Sequence, residues 1–85
     1  MAIKYLTLNL NDNVRIEVEN SITGKETVLY NGEVVSEMSS VFGWTHMFER
    51  DENGEKARYE IRVSIKAMMR VGIDIYRNDK VILLN

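Results

Sequence analysis

An all-β fold is predicted for this chain, a small antiparallel sandwich or partly open barrel of about eight short strands. Three observations carry that reading. Lys25 to Ser36 holds two β-prone runs that meet at Asn31-Gly32, a pair that supplies positive φ at both centres of a type I′ hairpin turn. From Ala57 to Ile75 the odd positions are apolar and the even ones mostly polar, which is the period of a pleated strand rather than of a helix. The chain has no Pro, so nothing bars any of these runs from a ladder.

In order, Leu6, Leu8 and Leu10 alternate with Tyr5, Thr7 and Asn9, a strand over Ile3 to Leu10. Asn11-Asp12-Asn13 is turn chemistry, because short Asx side chains bond the nearby backbone. Val14, Ile16 and Val18 alternate with Arg15, Glu17 and Glu19, a strand with one wet face. Asn20 to Gly24 breaks it. Across Asn31-Gly32 the expected pairs are Tyr30 with Glu33, Leu29 with Val34 and Val28 with Val35. A looser connection follows, with Ser39, Ser40, Val41, Phe42 and Gly43.

A second hairpin turns at Asn53-Gly54. It pairs Phe48 with Tyr59, His46 with Ile61 and Trp44 with Val63 on one face. On the other, Glu49 meets Arg58, Met47 meets Glu60, Thr45 meets Arg62, and Asp51 meets Lys56 near the tip. Aromatics fall together and opposite charges fall together, and a one-residue slip would undo both. Beyond it, parity is kept through Lys66 to Arg70, so the turn there has three or five residues with Met68 exposed; a short helical turn is the alternative. The last hairpin turns at Asn78-Asp79, with Ile75 opposite Ile82 and Ile73 opposite Leu84. Leu29 to Val35 and Tyr76 to Ile82 look alike, which reads as shared hairpin grammar rather than a repeat.

With 85 residues, the expectation is a single domain over residues 1–85, with roughly 60% of the unfolded surface buried. There is no Cys, hence no disulfide or Cys-based metal site. Met1-Ala2-Ile3-Lys4 has no basic region followed by an apolar run, and no stretch is long and apolar enough for a helical membrane span. The expected location is cytoplasmic. The net charge is −2, from 11 basic and 13 acidic side chains. Neither the part up to Gly43, with 3 basic and 6 acidic residues, nor the remainder, with 8 and 7, makes a basic footprint for nucleic acid.

Ser21 to Val35, with its Gly24-Lys25 and Asn31-Gly32, resembles a stretch of Fas apoptotic inhibitory molecule domains. That resemblance implies a small β-sandwich without catalytic activity that engages other proteins. Arg77-Asn78-Asp79-Lys80 is similar to the Arg-Asn-Gly-Lys hairpin of small uncharacterised bacterial β-rich domains, with Asp79 in place of Gly. Neither likeness transfers a functional residue.

No catalytic, cofactor-binding or metal-ligating set is expected, and no cofactor. His46 is the one histidine and falls between Trp44 and Phe48 on the aromatic face, the place of a core or edge histidine. Ser36, Ser39 and Ser40 are near in sequence, but a nucleophile needs its base and an orienting group within reach. Asp51, Glu52 and Glu55 read as solvated charge at a hairpin tip, without the spacing of a calcium loop. Two features are candidates for contact. Phe42 and Trp44, flanking Gly43, either plug one end of the core or form a lip for a ligand or a partner. Tyr76, Val81 and Leu83 form an outward apolar stripe on the last hairpin, which calls for a cover. The function expected is a non-enzymatic interaction module that associates with itself or docks on another protein. The alternative is a carrier of small apolar ligands with a pocket near Phe42 and Trp44.

Overall fold

The structure, a computed structural model, describes residues 2–40, 42–66 and 70–84. It is all-β, with eight strands in two four-stranded antiparallel sheets and no helix among the described residues. The chain divides into two compact units, Met1–Val41 and Phe42–Asn85. Each is a meander, with sheet order β1-β2-β3-β4 in the first and β5-β6-β7-β8 in the second. Neither sheet closes on itself among the described residues.

In the first unit β1 spans Ala2–Asn11, β2 Val14–Ser21, β3 Lys25–Tyr30 and β4 Glu33–Ser39. The Asx chemistry expected after β1 is present, since Asn13 N donates to Asn11 Oδ1 at 2.8 Å. Asn31 and Gly32 take φ of 51° and 84°, the left-handed pair a I′ turn demands. Tyr30 pairs with Glu33 and Leu29 with Val34 as expected, but Val28 pairs with Ser36. A bulge at Val35 displaces the expected Val28–Val35 rung by one residue. Val14, Ile16, Val18, Val28 and Tyr30 fill the buried face. The other face of β2 is drier than its alternation suggests. Glu17 is 8% exposed, with Lys4 bonded to its Oε2 and Arg15 Nε 3.2 Å from its Oε1.

In the second unit β5 spans Thr45–Glu52, β6 Glu55–Lys66, β7 Arg70–Arg77 and β8 Lys80–Leu83. The β5–β6 register agrees with the sequence at every expected rung from Thr45–Arg62 to Asp51–Lys56. Beyond the strand, Val63 N donates to Trp44 O at 2.9 Å. Lys66 pairs with Arg70, leaving three residues between the strands, the odd count that parity requires. The expected exposure of Met68 and the alternative helical turn lie outside the described residues. Asn78 and Asp79 have φ of 50° and 65°, so the last turn is where it was expected. The pairs beyond it are not. Val81 opposes Tyr76, but Leu83 opposes Ile75, because a bulge at Ile82 shifts the register. The Ile75–Ile82 and Ile73–Leu84 rungs therefore do not form, and Leu84 is exposed.

The two units share one plan. In each, the strands are joined by two, three and two residues in turn. Asn31 N donates to Arg15 O at 2.8 Å, and Arg15 N to Asn31 Oδ1 at 2.7 Å. Asn78 N donates to Arg58 O at 2.8 Å, and Arg58 N to Asn78 Oδ1 at 2.9 Å. Each I′ turn is thus clasped to the second strand of its sheet by an Asn side chain that lengthens the ladder by one rung. The bulges also correspond, since Val35 and Ile82 both follow the second rung beyond the turn. The likeness of Leu29–Val35 to Tyr76–Ile82 therefore extends past turn chemistry to a common tertiary bond.

Candidate interaction surface

The buried face of the second sheet holds Ala57, Tyr59, Ile61, Val63, Ile73 and Ile75. Its opposite face is formed by the alternate residues of the same strands. One row crosses all four strands there: Met47, Glu60, Tyr76 and Val81. Met47 is 70% exposed and Val81 53%, and Tyr76 is half-buried between Glu60 and Val81. The Arg62 guanidinium lies over the Tyr76 ring at 4.8 Å and bonds Glu60, which holds the guanidinium above its ordinary pKa. Arg58 reaches Asp79 at 3.5 Å. The surface is a row of Met47, Tyr76 and Val81 interrupted by Glu60 and bordered by both signs of charge.

Of the three residues expected to form an outward stripe, two belong to this row. Leu83 does not. Its rung with fully buried Ile75 puts it on the same side of the sheet as that residue, and the bulge at Ile82 is the cause. Met47 was missed as part of the patch because its pairing with Glu60 had been read only as one rung of a polar face. The parity of β6 and β7 would have linked it to Tyr76.

Phe42 is 79% exposed and Trp44 49%, so neither plugs a core. Gly43 between them has φ +97°, and a Cβ there would stand 2.1 Å from Val63 O. The segment is pressed onto β6 through a residue only Gly can be, with an exposed aromatic residue on either side. His46 is 1% exposed, opposite Ile61. Asp51 and Glu55 are exposed, as expected of the hairpin tip. Glu52 departs from that reading. It accepts from Tyr59 Oη at 2.6 Å and from Arg77 Nε and Nη2 at 3.1 and 2.9 Å, which raises the Arg77 guanidinium above its usual range. Its even position in β5 was the available clue, since it shares the side of His46 and Phe48.

Two of the surface depressions formed among the described residues are more polar than apolar. One, of about 410 Å³, is walled by Asn9, Asn11, Asp12, Asn13, Arg15 and Asn31. The other, of about 320 Å³, is walled by Lys66, Arg70, Val71 and Gly72. Phe42 and Trp44 line neither. Among the described residues, no helix is long and apolar enough to cross a membrane, and no three His, Asp or Glu gather as metal ligands would.

The fold and surface define an all-β protein of two antiparallel meanders with an amphipathic sheet face. No family model matches the sequence, and no curated protein or solved structure matches it either.

Proposed function

We propose that the chain is a non-enzymatic protein-interaction module that associates with a second copy of itself through the exposed face of the second sheet. The observation that carries this reading is the row of Met47, Tyr76 and Val81, two exposed apolar side chains bracketing an aromatic ring. Tyr and Met are enriched where proteins meet. The charges around the row suit a second copy, because Arg58 and Arg62 alternate with Glu60, Asp74 and Asp79. A two-fold arrangement can then set each basic group against an acidic one. The resemblance to Fas apoptotic inhibitory molecule domains points the same way. Exposure of Phe42 and Trp44 supports a contact lip over the wall of an enclosed ligand cavity.

The test is sedimentation equilibrium of the parent and of the double variant Tyr76→Ser, Val81→Ser. The parent is expected to self-associate and to melt at a temperature that rises with protein concentration, and the variant to lose the face contact while keeping the strand circular dichroism. A parent that stays monomeric at all concentrations removes the reading.

A further inference from the structure

Four strands lie at sheet edges: β1, β4, β5 and β8. An open edge offers unpaired backbone groups to any other extended chain, and bulges, short strands and charge are the usual protections. β1 carries register shifts beside Tyr5 and Leu10, β4 one at Val35, and β8 one at Ile82 besides having only four residues. β5 has none. Its ladder with β6 runs unbroken from Thr45 to Glu52.

The backbone groups on its free side can be identified. Val63 N donates to Trp44 O and Ile65 N to Phe42 O, so the even-numbered residues of this segment turn their backbone toward β6. In an antiparallel strand the alternate residues then turn theirs away. Those are Thr45, Met47 and Glu49. The Arg50 side chain already answers one of them, with Nη1 donating to Glu49 O at 3.0 Å.

Resting on the self-association reading, but using a different surface, we infer that β5 pairs edge to edge with β5 of a second copy. The strands run antiparallel about a two-fold axis at Met47. The residues of β5 suit that register. With Met47 opposite itself, Thr45 meets Glu49, His46 meets Phe48, Trp44 meets Arg50 and Gly43 meets Asp51, so no acid faces an acid. Thr45 N–H of one copy takes the Glu49 carbonyl of the other, releasing Arg50 to lie over the half-exposed Trp44 ring. Moving the axis to Glu49 would set two carboxylates face to face, and moving it to Phe48 would set Trp44 against Glu52. Pairing at Met47 also joins the two rows of Val81, Tyr76, Glu60 and Met47 end to end across eight strands.

Face and edge contacts are separable, because each uses residues the other does not. The experiment compares amide exchange in the parent, at low and high concentration, with sedimentation of the parent and of Thr45→Pro. Pro at Thr45 removes an N–H that makes no bond to β6, a change edge strands tolerate, and by symmetry it deletes two bonds between copies. Thr45 and Met47 amides are expected to exchange more slowly as concentration rises, and Thr45→Pro to weaken association by at least about tenfold. Thr45 and Met47 amides that exchange equally fast at every concentration overturn the inference whether or not Thr45→Pro folds. If the parent nonetheless associates and Tyr76→Ser, Val81→Ser disperses it, the face reading stands without the edge. A parent that never associates removes both.

Discussion

The first unit places Asn20 opposite Glu26, on the rung where the second places Val63 opposite Ile73. Counting from the clasped turn, the two pairs are four rungs beyond Ile16–Tyr30 and Tyr59–Arg77 respectively. Both pairs are buried. The first contains polar groups whose burial has to be offset, and Tyr5 does so in part, as Asn20 Nδ2 donates to its Oη at 2.6 Å. Among the described residues Asn20 Oδ1 has no hydrogen-bond partner. The second unit meets the same position with two β-branched side chains and needs no such support. One backbone plan thus accepts either a polar or an apolar inner rung. The edges also differ, since the β1 ladder is interrupted by two bulges where the β5 ladder is unbroken.

The largest effect is expected where the second unit departs from regular strand. Gly43→Ala should destabilise by about 3 kcal/mol or more, since positive φ and a backbone overlap add. Gly24→Ala in the first unit, where the new Cβ meets only Ser40 O at 3.9 Å, should cost about 1 kcal/mol from φ alone. Urea unfolding of both variants checks the ratio, and equal losses would show that the close approach at Val63 is not rigid.

The shared clasp is tested by Asn31→Ala and Asn78→Ala. Each loses one side-chain bond to an Arg N–H and leaves Ala in a left-handed conformation, for about 2 kcal/mol apiece. Asn31→Ala should cost somewhat more, because Asn31 Nδ2 also donates to Asn13 O at 2.9 Å. A null result at one site alone would break the equivalence of the units.

Copying the second unit's rung into the first, with Asn20→Val and Glu26→Ile together, should leave stability unchanged or raise it by about 1–3 kcal/mol. Asn20→Val alone leaves Glu26 buried beside an apolar neighbour and is expected to destabilise. A double variant less stable than that single one would mean that the carboxylate is required by the first unit.

The smallest effect concerns acid. The hydrogen bond from Lys4, with Arg15 adding to it, holds the Glu17 carboxyl below its usual pKa of 4.5 against the opposing effect of burial. Stability from this group is present above that pH and lost as pH falls through the folded-state value. Exposed partners keep it below about 1 kcal/mol. Glu17→Gln should therefore lower stability at neutral pH and lessen the acid-induced loss, as denaturant titrations at neutral and acid pH would read. An unchanged acid dependence would assign that loss to other carboxyls.

Where local chemistry has one solution, the sequence was legible. Asn31-Gly32, Asn53-Gly54 and Asn78-Asp79 are all left-handed pairs, and the β5–β6 register follows from charge and aromatic pairing agreeing at once. Bulges were not legible, because Val35 and Ile82 are as β-prone as their neighbours and leave no gap in the pattern. That is why Leu83 seemed to point outward. Nor was the dry side of β2, since Glu17 looks like any solvated residue until Lys4 and Arg15 are seen across it. The face of Met47, Tyr76 and Val81 was two-thirds legible, as the third member came from a strand distant in sequence.

The most direct measurement uses the correspondence itself. Val34 and Val81 occupy the same position in the two units, on the second rung beyond the clasped turn, and are 50% and 53% exposed. In the first unit the row through Val34 contains Thr7, Glu17 and Leu29, without the Met and Tyr that share a row with Val81. Sedimentation equilibrium of Val34→Lys and Val81→Lys against the parent is therefore decisive. The expected result is that Val81→Lys lowers the association state while Val34→Lys sediments as the parent does; loss of association in both, or in Val34→Lys alone, would contradict it.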